Sequence, residues 1–186
     1  MQGEGINHGT LISCQFTGVV TGDSEVGGIV GRNESEGTID HSTARAIVTG
    51  KSSTGGIAGY NLGAITGCTN VGSINTEYPE ASLDTDGFTA KMVDYINNKM
   101  AAADDDATNS VTNVATDTGG IAGRSSGMIL TSVNTGTIGY EHVGYNVGGI
   151  VGRTDGLVSG CVNQGRVLGR KDVGGIAGQA DSATIE

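Results

Sequence analysis

Gly27-Gly28-Ile29-Val30-Gly31, Gly55-Gly56-Ile57-Ala58-Gly59, Gly119-Gly120-Ile121-Ala122-Gly123, Gly148-Gly149-Ile150-Val151-Gly152 and Gly174-Gly175-Ile176-Ala177-Gly178 are one five-residue string written five times. The steps between copies are 28, 64, 29 and 26 residues. Self-similarity at a fixed period of that size marks one supersecondary unit stacked on itself, so the pattern predicts a solenoid.

The residues between the strings repeat too. Gly63, Ile65, Cys68, Asn70, Gly72 and Ile74 follow the second string, and Gly127, Ile129, Ser132, Asn134, Gly136 and Ile138 follow the third at the same offsets. Gly156, Val158, Cys161, Asn163, Gly165 and Val167 follow the fourth. After the first string the pattern slips by two residues, to Gly37, Ile39, Ser42, Ala44, Ala46 and Val48. Gly9, Leu11, Cys14, Phe16, Gly18 and Val20 form an opening copy without its string.

Each interior glycine costs a helix roughly 1 kcal/mol against alanine, so the strings exclude helices. Short β-branched stretches bounded by Gly or Asn, such as Ile65–Cys68 and Gly72–Ile74, have the form of strands between tight corners. Three strands and three corners in a repeat of this length predict a triangular coil, stacked about 4.8 Å from the next by parallel pairing. The expected fold is therefore all-β: a parallel β-helix of about 28-residue coils, right-handed by crossover chirality. With two Phe and no Trp among 186 residues, the core must be slim and laddered.

Gly28-Ile29-Val30-Gly31, Gly56-Ile57-Ala58-Gly59 and their later copies resemble the GLUG motif, with Ile in place of its usual Leu. The spacings Asn61–Ile65 and Cys68–Gly72 match as well, and the resemblance covers the chain except for residues 76 to 117. It implies a secreted or cell-surface bacterial scaffold, of the kind found in adhesin-like proteins and in the non-catalytic part of immunoglobulin-A-cleaving metallopeptidases. It implies no catalytic residues.

A net charge of −10 disfavours nucleic acid and anionic membrane as partners. No apolar run approaches the roughly 18 residues of a membrane span, and no signal peptide opens the chain. The chain starts and stops within repeats, which is read as a fragment of a longer array, its ends meeting flanking repeats of a full-length protein.

Cys14, Cys68 and Cys161 share one register position with Ser42 and Ser132. Rungs with serine between them set the cysteines on the order of 9–10 Å apart, too far for disulfides. They are read as a stack of small buried residues, with no zinc spacing among them. Asn70, Asn134 and Asn163 fall on consecutive rungs and predict an amide ladder at a corner. Arg32, Tyr60, Arg124, Arg153 and Gln179 follow the strings and should line one exposed edge, where Arg124 and Arg153 are candidate contacts for an anion or glycan.

One corner is irregular. From the last strand residue of a coil to the next string is seven residues in three cases, ten between Ile138 and Gly148, and forty-five between Ile74 and Gly119. An insertion over residues 76–118 follows, and insertions in solenoids collect on one face, often the binding face. Within it Phe88, Met92, Tyr95, Ile96 and Met100 recur at helical spacing and predict an amphipathic helix over about 87–102, its apolar stripe packing on the solenoid flank. Residues 77–117 hold nine of the twenty acids against Lys91 and Lys99, so the acidity is local. Asp84, Asp86, Lys91 and Tyr95 are candidate binding residues there. Asp84-Thr85-Asp86-Gly87 resembles part of a calcium loop but lacks the closing bidentate Glu, Val93 standing in its place, so the expectation is adventitious calcium or none.

His8, His41 and His142 make no recognised ligand spacing. Asp40-His41-Ser42 puts relay letters side by side, yet neighbouring strand residues face opposite ways. The reading is a non-enzyme without cofactor, a structural or adhesive segment of an exported bacterial surface protein that meets a host glycan or extracellular protein. An accessory module of a larger surface protease is the alternative, and a polysaccharide-active β-helix enzyme is disfavoured because the exposed corners carry mainly Gly, Ser, Thr and Asn.

Overall fold

The computed structural model describes residues 5–77 and 115–186. Among these the protein is all-β, a solenoid of about five turns with a spacing near 28 residues. Each turn passes through four parallel sheets rather than the three expected. Sheet I holds Ser24–Gly27, Ser52–Gly55, Thr116–Gly119, Tyr145–Gly148 and Lys171–Gly174; sheet II holds Ile6–Asn7, Val30–Asn33, Ala58–Asn61, Ala122–Ser125, Val151–Thr154 and Ala177–Ala180. Sheet III stacks Thr10–Ile12, Thr38–Asp40, Ala64–Thr66, Met128–Leu130, Leu157–Ser159 and Thr184–Ile185. Sheet IV stacks Gln15–Thr21 and Thr43–Thr49 with the broken strands Thr69–Asn70, Ser73–Ile74, Val133–Asn134 and Val162–Asn163.

The extra face has a local cause. The glycine string is a corner and not a strand: sheet I ends on its first residue and sheet II begins on its fourth. A Cβ on Gly55 would stand 2.2 Å from the Ala58 carbonyl oxygen, and one on Gly119 2.0 Å from that of Ala122. On the second glycine the obstacle is the next coil: Gly56 would meet the carbonyl oxygen of Gly120 at 2.3 Å, and Gly120 that of Gly149 at 2.2 Å. The corner needs glycine because backbone crosses backbone there.

Two columns of left-handed residues shape the remaining bends. Glu25, Ser53, Asp117, Asn146 and Asp172, each two before a string, have φ between 51 and 54°. Ser13, His41, Gly67, Thr131 and Gly160 turn the chain from sheet III to sheet IV with φ between 46 and 61°. Left-handed geometry is costly for most L-residues and least so for Gly, Asn and Asp, so most of these positions are small or polar.

The interior is divided. One core cluster stacks Ile39, Ile65, Ile129 and Val158 against Ile57, Ile121 and Ile150; a second joins Val26, Val48, Ile74, Ile138 and Val147. Between them runs the asparagine ladder, which is therefore internal and not at a corner: Asn70 and Asn134 have no exposed surface, and both stand against the second glycines of the strings. In the earlier coils Phe16 and Ala44 occupy that position.

Register holds across the long interruption. Ser52 pairs with Thr116, Ile65 with Ile129 and Asn70 with Asn134, just as Asn134 pairs with Asn163 one coil later. The solenoid resumes by Ala115, whose carbonyl accepts from Tyr145 N–H at 3.1 Å. The expected insertion end at 118 is therefore too late, and Asp117 belongs to sheet I. The expected helix over 87–102 lies outside the described residues.

Candidate functional site

Three polar columns expected from the sequence run along the solenoid axis. In the first, Asn70 Nδ2 donates to Asn134 Oδ1, and Asn134 Nδ2 to Asn163 Oδ1, both at 2.8 Å. Asn134 Oδ1 also accepts from Gly136 N–H, and its Nδ2 donates to the Gly136 carbonyl, each at 3.1 Å. All four bonds an amide can make are formed inside the core, the condition for burying one without a large penalty.

The second column is Cys14, Ser42, Cys68, Ser132 and Cys161. Backbone N–H groups reach side chains one coil on: Cys14 to Ser42 Oγ at 3.1 Å, Ser42 to Cys68 Sγ at 3.4 Å, Cys68 to Ser132 Oγ at 3.2 Å. Ser42, Ser132 and Cys68 also turn back on the carbonyls of Asp40, Leu130 and Thr66. All three cysteines are free thiols. Burial pushes the Cys68 thiol up to about 11, further than the N–H from Ser42 pulls it down. A thiol held protonated is a poor nucleophile and metal ligand.

The third column faces outward. Arg32, Tyr60, Arg124, Arg153 and Gln179 are register partners on sheet II. Tyr60 is stacked from both sides, with Arg32 5.1 Å and Arg124 5.3 Å from its ring centre. Arg32 also binds Glu25 at 3.2 Å and Glu34 at 2.7 Å; burial opposes its charge, but these carboxylates outweigh burial and raise its pKa. Arg153 Nε donates to Asp181 Oδ2 at 2.7 Å, and this bond, with that from Gln179, holds the Asp181 carboxyl below its usual range. Of the two candidate contacts, Arg153 is thus committed to Asp181. Arg124 makes no ion pair among the described residues and is the better placed for an outside anion.

The other candidates do not assemble into a site. Asp84, Asp86, Lys91 and Tyr95 lie outside the described residues. His41 Nδ1 sits 2.8 Å from Asp40 Oδ1 on the surface, while Ser42 Oγ is buried in its column. Among the described residues no group of three or more His, Cys, Asp or Glu is placed to hold a metal, and no helix is long and apolar enough to cross a membrane.

A second amide ladder escaped the sequence reading. Asn7 Nδ2 donates to Asn33 Oδ1 and Asn33 Nδ2 to Asn61 Oδ1, each at 2.8 Å, and Asn61 Nδ2 to Ser125 Oγ at 3.1 Å. Its signal was a polar residue two after the string in four copies: Asn33, Asn61, Ser125 and Thr154.

No curated protein and no solved structure matches the chain. Residues 22–49 match the family model described as the GLUG motif. In the structure that span is one circuit of the solenoid, from just before Ser24–Gly27 to the last residue of Thr43–Thr49. The chain carries a GLUG motif, and the coils that follow repeat its geometry.

Proposed function

We propose that this chain is a non-catalytic, rigid spacer of a bacterial surface or secreted protein, and that it displays residues 78–114 toward a host glycan or extracellular protein. The observation that supports this reading is the unbroken register between Ser52 and Thr116 and between Asn70 and Asn134 on either side of that segment. A solenoid that keeps its register over an interruption can carry a recognition element without disturbing its own stacking.

Stacked parallel strands and two amide ladders make a stiff rod whose length grows with coil number. Arg124, beside the stacked Tyr60, is a secondary contact for an anionic partner in this scheme.

The test compares the intact chain with one whose residues 78–114 are replaced by a short loop, on an array of host glycans and matrix proteins. A ligand held by the intact chain and lost by the trimmed one supports display. Ligands held equally by both, or by neither, refute it.

A further inference from the structure

The two longest departures from regular coiling occur where sheet IV returns to sheet I. Residues 78–114 fall there, and one coil later residues 139–144 form a small hairpin closed by an antiparallel bridge between Tyr140 and Val143. Gly139, His142 and Gly144 supply its left-handed turns, with φ of 77, 60 and 90°. Beside the hairpin lies an open depression of about 380 Å³, with Tyr140, Glu141, His142 and Arg166 of its lining exposed.

Three successive coils wall this depression, because Ile74, Ile138 and Val167 are bridged in register. Thr76 comes from the first, Thr137 and the hairpin from the second, Arg166 and Leu168 from the third. The volume lies within the range that small ligands occupy.

The lining has the chemistry of an acidic sugar. Arg166 offers a planar fork of donors and makes no ion pair among the described residues; that geometry matches a carboxylate. Thr76 and Thr137 each donate and accept, and Glu141 accepts, which suits ring hydroxyls. Leu168 and the ring of Tyr140 give apolar surface for the C–H face of a pyranose. A phosphate dianion would face Glu141 with one guanidinium as its only fixed cation, and a polyanion would also meet the net charge of −10.

We propose that this depression binds one carboxylate-bearing sugar residue, its carboxylate on Arg166 and its hydroxyls on Thr76, Thr137 and Glu141. The proposal deepens the reading of this chain as a glycan-contacting surface segment, but it places the contact on the solenoid itself.

The experiment titrates the intact chain with sodium glucuronate, N-acetylneuraminate and glucose, following side-chain NMR signals of Thr137 and Arg166. Saturable shifts are expected with one or both acids, with glucose at least tenfold weaker; which acid saturates identifies the source. Arg166→Gln should weaken the acid at least tenfold, with an unchanged melting temperature, and Arg45→Gln on exposed sheet IV should not. Should Arg166→Gln fail to fold, Thr137→Val must show the weakening. No saturation with either acid, or equal binding by the variants, overturns the proposal. Acid binding through Arg166 without any array ligand that depends on 78–114 would sink display and leave the depression's role standing; the reverse pattern would do the opposite.

Discussion

Two corners of the same coil have opposite histories. The corner from sheet I to sheet II is Gly-Gly-Ile-Val-Gly or Gly-Gly-Ile-Ala-Gly in every copy, whereas the corner from sheet IV to sheet I runs from seven to forty-five residues. At the first, adjacent coils approach so closely that a single Cβ would overlap neighbouring backbone, as at Gly120 against Gly149. At the second the crowding is uneven: a Cβ on Gly139 would stand 1.9 Å from the Leu168 carbonyl oxygen, whereas one on Gly144 would meet nothing nearer than 3.3 Å. Constant sequence here marks crowding, and variable length marks the side on which the molecule can add function.

Breaking the crowded corner should have the largest effect. A Cβ on Gly120 would also stand 2.5 Å from Asn134 Cγ, so Gly120→Ala should cost about 4 kcal/mol or more. Gly175 has nothing within 4 Å, and Gly175→Ala should stay within about 0.5 kcal/mol in the same chemical denaturation assay. Equal losses would mean that glycine acts there through chain flexibility and not through space.

Asn134→Ala comes next. It removes one of the two bonds of Asn70 Nδ2 and of Asn163 Oδ1 and takes the side-chain partner from both polar groups of Gly136, and should cost about 3 kcal/mol. A change below about 1 kcal/mol would mean water replaces the ladder.

The Cys68 thiol gives a pH-dependent effect. The folded state keeps its proton to about 11, while the unfolded chain releases it near the usual 9.0. Above that lower value the unfolded state binds fewer protons, so stability falls as pH rises, by on the order of 2–3 kcal/mol between pH 9 and 11. Cys68→Ser should flatten this part of a stability-against-pH curve, and an unaltered slope would contradict the assignment.

The smallest effect has the opposite sign. Thr54 is buried with its hydroxyl unpartnered among the described residues, where Val26 stands one coil earlier and Val147 two coils later. Thr54→Val should raise stability by about 1 kcal/mol, read as a higher melting temperature.

Much of this contrast was legible beforehand. The five strings gave the stacking, and the offsets of Ile65, Cys68 and Asn70 set a register that pairing confirms at Ile65↔Ile129 and Asn70↔Asn134. The fourth face was not, because a string read as one strand is a corner, and because left-handed residues such as Glu25 and Asp117 interrupt strands only two to four residues long. Asn70 was placed at a corner because linear spacing does not say which side of a turn faces inward. The depression had no linear signature: Thr76 and Arg166 are ninety residues apart, and only stacking brings them together.

Hydrogen exchange at three amides tests the central claim, that the coils continue as one stack across residues 78–114. Ile57 donates to the Ile121 carbonyl at 2.9 Å, Met128 to Gly63 and Val133 to Cys68 at 2.8 Å, and each bond spans the interruption. The account predicts protection at these amides comparable to that of Ile121, which donates to Ile150 within the uninterrupted coils, both in the intact chain and with 78–114 replaced. Fast exchange at Ile57, Met128 and Val133 beside slow exchange at Ile121 would show two separately folding halves and contradict it.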